Sequence, residues 1–200
     1  MSSEIYSGIK YKVNFISRNI PEDARLEELK LWCRKFHEYN LAPPYPGGSA
    51  GNLSFRLSPG QLPFIITGTA MGLKDSPDNS KFVRVESCDV LAKEVNVHGV
   101  IEPSSETMLH YSIYKQRPDV EAIFHGHSDE IIAATDALHI PQTKTAEPYG
   151  SIQLIHSALE ILADYSFIML RSHGFVAMGN SMKQTGDLAI EMLLKAKPRV

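Results

Sequence analysis

Residues 120–128 place the strongest constraint on the chain: Val120-Glu121-Ala122-Ile123-Phe124 reads as a β-strand and runs straight into His125-Gly126-His127-Ser128. Side chains alternate across a sheet with a period of two, so His125 and His127 leave the strand end on one side, close enough to share a metal ion. Gly126 puts no side chain on the opposite face, and Ser128, followed by Asp129 and Glu130, suits the N-cap of a following helix. Strand ends of this kind are where ligands sit. The alternative is one satisfied core histidine beside one surface histidine.

The whole chain narrows the options for that pair. Two hundred residues with 43% hydrophobic content and no low-complexity tract fit a single globular domain over residues 1–200. A formal charge of -3, with both signs interspersed, gives neither a basic stripe for nucleic acid nor a like-charge tail. The N-terminus lacks a basic region followed by an apolar core, and no apolar run is long enough to cross a bilayer, so a cytoplasmic protein is expected. Cys33 and Cys88 are too few for a disulfide framework and lack thiolate-site spacing. A metal must therefore be held by histidine and carboxylate.

Taken in order, Pro21 to Tyr39 reads as a helix, with Leu26, Leu29, Cys33 and Phe36 at helical spacing. The prolines of Asn40 to Pro46 break it. Gly47-Gly48-Ser49-Ala50-Gly51-Asn52 is a glycine-rich turn entering a short strand, and Thr67-Gly68-Thr69-Ala70-Met71-Gly72 follows a strand at Leu62 to Ile66. Each is a plain turn or half of an anion pocket, and the pair fits one pocket better than either alone. Lys81 to Val85 reads as a strand, and Glu86 to His98 is ambiguous. Pro103-Ser104-Ser105-Glu106 opens a helix to about Gln116, where the serines either cap it or offer an anion corner. His110, one turn on, reads as a packing residue. Ser128 to Leu138 and Ser151 to Tyr165 read as helices, with His156 and Glu160 outside the apolar face of the second. Phe167 to Leu170 is an apolar strand ending in Arg171-Ser172-His173-Gly174, a further strand covers Phe175 to Met178, and a last helix runs from Met182 to Lys197.

His173 is the natural third imidazole. With Glu106 it completes a four-ligand set of three histidines and one carboxylate, suited to Zn2+ or another divalent transition metal. At this point the chain resembles the class II aldolase and adducin family, across residues 22 to 195. The resemblance rests on Gly51-Asn52-Leu53-Ser54-Phe55-Arg56, Thr67-Gly68-Thr69-Ala70-Met71-Gly72, Pro103-Ser104-Ser105-Glu106, Arg117-Pro118-Asp119, His125-Gly126-His127-Ser128 and Ser172-His173-Gly174, all in the family's order.

The resemblance implies an α/β fold, a three-layer α/β/α sandwich around a largely antiparallel sheet, commonly a homotetramer with sites between subunits. It implies that His125, His127 and His173 bind zinc, that Glu106 both ligates the metal and moves protons, and that Gly51, Asn52, Thr67, Gly68, Ser104 and Ser105 hold a substrate phosphate. The implied reaction is retro-aldol cleavage of a ketose 1-phosphate, fuculose-1-phosphate-like, to dihydroxyacetone phosphate and an aldehyde. A sugar-phosphate 4-epimerase, a methylthioribulose-1-phosphate-type dehydratase and a non-catalytic adducin-like module are the alternatives. The fuculose-phosphate type carries an acid tyrosine in the connection after the His-x-His helix. Pro141-Gln142-Thr143-Lys144-Thr145 has none, and Tyr149 is the nearest substitute.

Overall fold

The computed structural model describes residues 8–197. Five strands of the main sheet are buried along their whole length: β4 (Asn52–Arg56), β5 (Phe64–Thr67), β8 (Ala122–Gly126), β9 (Phe167–Leu170) and β10 (Gly174–Gly179), counted with β1 (Lys12–Ser17) and the two-residue β2 (Pro44–Tyr45) and β3 (Gly48–Ser49). Strands buried on both faces read as near-continuous apolar runs, which is why Phe-Ile-Ile and Phe-Ile-Met-Leu stand out in the sequence. With β6 (Phe82–Asp89) and β7 (Glu94–His98) they form an eight-stranded sheet in the order β1-β7-β6-β5-β4-β8-β10-β9, and β2 pairs with β3 in a separate hairpin. Only the β1–β7 pairing is parallel, so the sheet is largely antiparallel as expected.

Helices cover both faces, and the strand alternation divides the apolar residues between them. On one face Leu53, Phe55, Ile65, Phe124 and Phe175 pack against α1 (Leu26–Glu38), α3 (Asp129–Ala134) and α5 (Met182–Ala196), through Trp32, Phe36, Ile131 and Leu193. On the other, Phe64, Ile66, Ile123 and Val176 meet α2 (Thr107–Gln116) and α4 (Ile152–Leu162), through Met108, Leu109, Ile113, Leu154 and Ala158. The result is the α/β/α sandwich. His125 has the parity of Ile123, so it faces α2, and the register sets Asn52 opposite it on β4.

Boundaries differ from the sequence reading where local chemistry competes. The first helix starts at Leu26, because Asp23 accepts from the backbone N–H and guanidinium of Arg25 and holds residues 23–25 in a turn. The helix after Ser128 ends at Ala134, while Ser128 caps it as expected by accepting from Ile131 N–H. Residues 86–98, ambiguous in sequence, are the arms of the β6–β7 hairpin. Two motifs prove structural. Arg56, 1% exposed, donates to the carbonyls of Val120, Tyr114, Arg117 and Gln61 and pins β4 to the end of α2. Arg117 forms a two-bond pair with Asp119 at 2.8 and 2.7 Å and donates to the Ala163 and Tyr165 carbonyls behind α4.

Candidate metal centre

The three imidazoles meet. The His125 and His127 ring centroids lie 4.8 Å apart, and each lies 5.0 Å from the His173 ring. His125 leaves the end of β8 fully buried, while His127 and His173 are partly exposed and open the cluster to one side. His173 arrives from the tight turn between β9 and β10, where Ser172 adopts a left-handed backbone with φ 58°. Gly174 follows because nothing larger fits: a Cβ there would stand 2.9 Å from His125 Cε1 and 3.3 Å from His127 Cδ2, and closer still to the Gly126 carbonyl. The Ser-His-Gly and His-Gly-His motifs are thus two halves of one packing arrangement.

Glu106 completes the set. It is the N-cap residue of α2, 4% exposed, with Oε2 3.0 Å from His125 Nε2 and Oε1 3.2 Å from His173 Nε2. Its backbone N–H donates to Ser104 Oγ at 3.3 Å, so Ser104 braces the turn before the helix, and neither serine supplies a side-chain cap of the usual kind. Burial favours a neutral Glu106 carboxyl, but the His125 and His173 rings and the Asn52 hydrogen bond outweigh it and hold the group well below the usual carboxylate range. Burial acts on the imidazoles in turn, pushing His125 down to about 4 against the opposing pull of the Glu106 carboxylate, and His127 well below its ordinary value.

Whether a cation fits is decided by the lone pairs. His125 Nδ1 donates to the Phe175 carbonyl at 2.7 Å, which leaves Nε2 bare. That bare nitrogen faces Glu106 Oε2 at 3.0 Å and His127 Nε2 at 2.9 Å. Acceptors converging at such distances in a buried site require a shared proton or a cation among them. Four ligands at about 2.0–2.2 Å around a tetrahedral zinc stand about 3.3–3.6 Å from one another, a few tenths of an ångström beyond the 2.9–3.2 Å contacts here. The donor set and its spacing fit a divalent transition metal.

The anion-pocket residues adjoin this centre. Asn52 donates from Nδ2 to Glu106 Oε2 at 2.9 Å, and Thr67 Oγ1 accepts from Leu53 N–H at 3.2 Å. Thr67 O accepts from Ser104 N–H at 3.1 Å, which joins the end of β5 to the turn before α2. Gly51, with φ 74°, sits where a Cβ would be 2.7 Å from the His125 carbonyl. Ser105 is half-buried beside Ser104. The N–H of Gly68 is already committed to Lys81 O at 2.8 Å, and the missing side chain there makes way for Ile101, with which a Cβ would collide. The Tyr149 hydroxyl donates to Gly8 O at 3.1 Å.

Two residues beside the centre escaped the sequence reading. Lys74, 1% exposed, donates to Ser49 O, Ser49 Oγ and Ala50 O at 3.2, 3.0 and 3.0 Å and holds the glycine turn ahead of Gly51. A lysine in a loop reads as solvated, and nothing local signals otherwise. His110, read as packing, is fully buried and bonds Ser54 Oγ through Nδ1 at 2.7 Å. Its four-residue spacing from Glu106 was the available signal.

A sequence model described as Class II Aldolase and Adducin N-terminal domain matches residues 27–197. The chain is 28% identical over 183 residues to a 3-oxo-tetronate 4-phosphate decarboxylase of Haemophilus influenzae, covering 82% of this chain and 81% of that protein. It is 29% identical over 160 residues to a 5-methylthioribulose-1-phosphate/5-deoxyribulose-1-phosphate aldolase of Rhodospirillum rubrum, covering 72% and 68%. The solved structure of an L-fuculose 1-phosphate aldolase superposes with a TM-score of 0.70 at 21% identity, over 88% of this chain and 84% of that one, which shows the shared fold. By the span of that match and by its sheet, the chain belongs to the class II aldolase and adducin family.

Proposed function

We propose that this chain is a zinc-dependent carbon–carbon lyase acting on a phosphorylated sugar, with retro-aldol cleavage of a ketose 1-phosphate as the first reading. The observation that carries it is the buried carboxylate among three converging imidazoles, Glu106 with His125, His127 and His173. A scaffold has no use for converging ionisable groups that are costly to bury. A divalent cation held by these residues supplies Lewis acidity to a chelated hydroxy-ketone.

The remaining work falls to the chain. Thr67, Ser104 and Ser105, on the turns that Gly51 and Gly68 allow to pack closely, hold the substrate phosphate and fix its register. Asn52, bonded to Glu106, sits between the two subsites and answers to both. Glu106 takes up, directly or through water, the proton that the substrate hydroxyl releases as it becomes the aldehyde and returns it to the carbon left electron-rich by bond cleavage, or removes one from that carbon in the condensing direction. Its environment keeps it ionised and ready to accept. In a homotetramer, which family membership suggests, further groups would come from a neighbouring subunit.

One observation favours a second reading, decarboxylation of a 3-oxo sugar-acid phosphate. Residues 141–145 lack a tyrosine and the Tyr149 hydroxyl donates to Gly8 O, whereas loss of CO2, unlike retro-aldol cleavage, requires no proton transfer at a substrate hydroxyl. The test is a panel assay on zinc-loaded protein beside a chelator-treated control. Metal-dependent dihydroxyacetone phosphate from a ketose 1-phosphate supports the first reading, and CO2 from a 3-oxo-tetronate 4-phosphate supports the second. Metal-loaded protein with neither activity refutes both.

A further inference from the structure

His110 presents a buried ring nitrogen with no partner among the described residues. The ring is fully buried, and its Nδ1 lies 2.7 Å from Ser54 Oγ, which lies 2.8 Å from the Tyr114 hydroxyl oxygen and 3.4 Å from the Ile123 carbonyl. A relay that runs from Tyr114 O–H through Ser54 O–H to Nδ1 places the ring hydrogen on Nε2. That Nε2 is buried and has no hydrogen-bond partner among the described residues.

The position of this donor is informative. His110 lies one helical turn from Glu106, its backbone N–H donating to the Glu106 carbonyl at 3.1 Å, and residues four apart share a helix face. Glu106 and His125 are the charged or ionisable groups that bear on the ring after burial itself. Buried polar groups are nearly always paired, and an exception on the face that carries the candidate base calls for an acceptor that arrives during function.

We infer that His110 Nε2–H receives the Glu106 carboxylate when a chelating ligand displaces it from the metal, so that His110 is a positioning residue for the base. This rests on the proposed metal centre and deepens it. Glu106 then has two held positions: one bonded to Asn52 and facing His125 and His173, the other bonded to His110 below. Leaving the first also frees Asn52 Nδ2 for the incoming substrate. Two fixed ends, with no free swing between them, keep the base aimed.

The test compares two ligands on cobalt(II)-substituted protein, followed by visible absorbance. Acetohydroxamate chelates through two oxygens and must displace Glu106; azide binds through one atom. His110→Asn keeps a polar group beside Ser54 but cannot reach the Nε2 position, and His110→Gln can. Acetohydroxamate should weaken about tenfold or more in His110→Asn and recover in His110→Gln, with azide affinity within about twofold throughout. Unchanged acetohydroxamate binding, or equal weakening of both ligands, overturns the role of His110. In wild-type zinc protein, independent of any variant, the His110 Nε2 proton should move downfield in the imidazole NMR spectrum when acetohydroxamate is added, and a static resonance overturns it as well. Cobalt bound without hydroxamate affinity refutes displacement of Glu106 while the metal centre stands. No cobalt uptake refutes the centre and the inference with it.

Discussion

Lys74→Met should change how the stability of this protein depends on pH. Lys74 is 1% exposed, and burial lowers it from its ordinary 10.5 to about 8, with Cys33 opposing weakly. Between those two values the unfolded chain holds the proton and the folded one releases it. Stability therefore rises with pH across that window, and the contribution of Lys74 grows by about 3 kcal/mol from below pH 8 to above pH 10.5. At pH 7 the ammonium is charged in the fold and rests on three oxygens of Ser49 and Ala50. Methionine keeps the stem and removes the titration. Urea unfolding at pH 7.5, 9 and 10.5 should show wild-type stability gaining on Lys74→Met by about 2–3 kcal/mol over the series. Cys33, whose thiol burial raises to about 12, titrates in the opposite sense but is present in both proteins, so it largely cancels. Parallel stability curves would show that Lys74 is solvated or already neutral at pH 7.5, and the account of the clamp would fall.

Glu106→Gln should retain part of its zinc, through the three histidines, while losing turnover; His125→Ala should lose both, read by metal analysis beside the panel assay. Normal turnover in Glu106→Gln would remove it as the base. Gly174→Ala should reduce metal occupancy and weaken the β8–β10 pairing, because its Cβ intrudes on the Gly126 carbonyl and on the His125 and His127 rings; full occupancy would contradict that packing. Gly186→Ala on α5 should destabilise by about 1–3 kcal/mol in urea, since its Cβ lands in the Trp32 indole where α5 crosses α1, and the site should be untouched.

Residue type and spacing alone determined a good part of this protein. The apolar runs at Phe64, Ile123 and Phe167 became fully buried strands because burial on both faces leaves no polar position to interrupt them. The period of two placed His125 and His127 on one side, and the ordered motifs pointed to the family that residues 27–197 match. These are local or additive signals. Tertiary structure decided what depends on neighbours remote in sequence. Asn52 meets Glu106 only because β4 lies beside β8 and α2 packs over both. Lys74 becomes a buried clamp because a loop of no regular structure folds over residues 49–50. Tyr149 turns to Gly8, and His110 gains its serine and loses any partner at Nε2, through contacts across 141 and 56 positions of chain. Hydrogen-bond direction and burial are properties of the packed interior, and no window along the chain contains them.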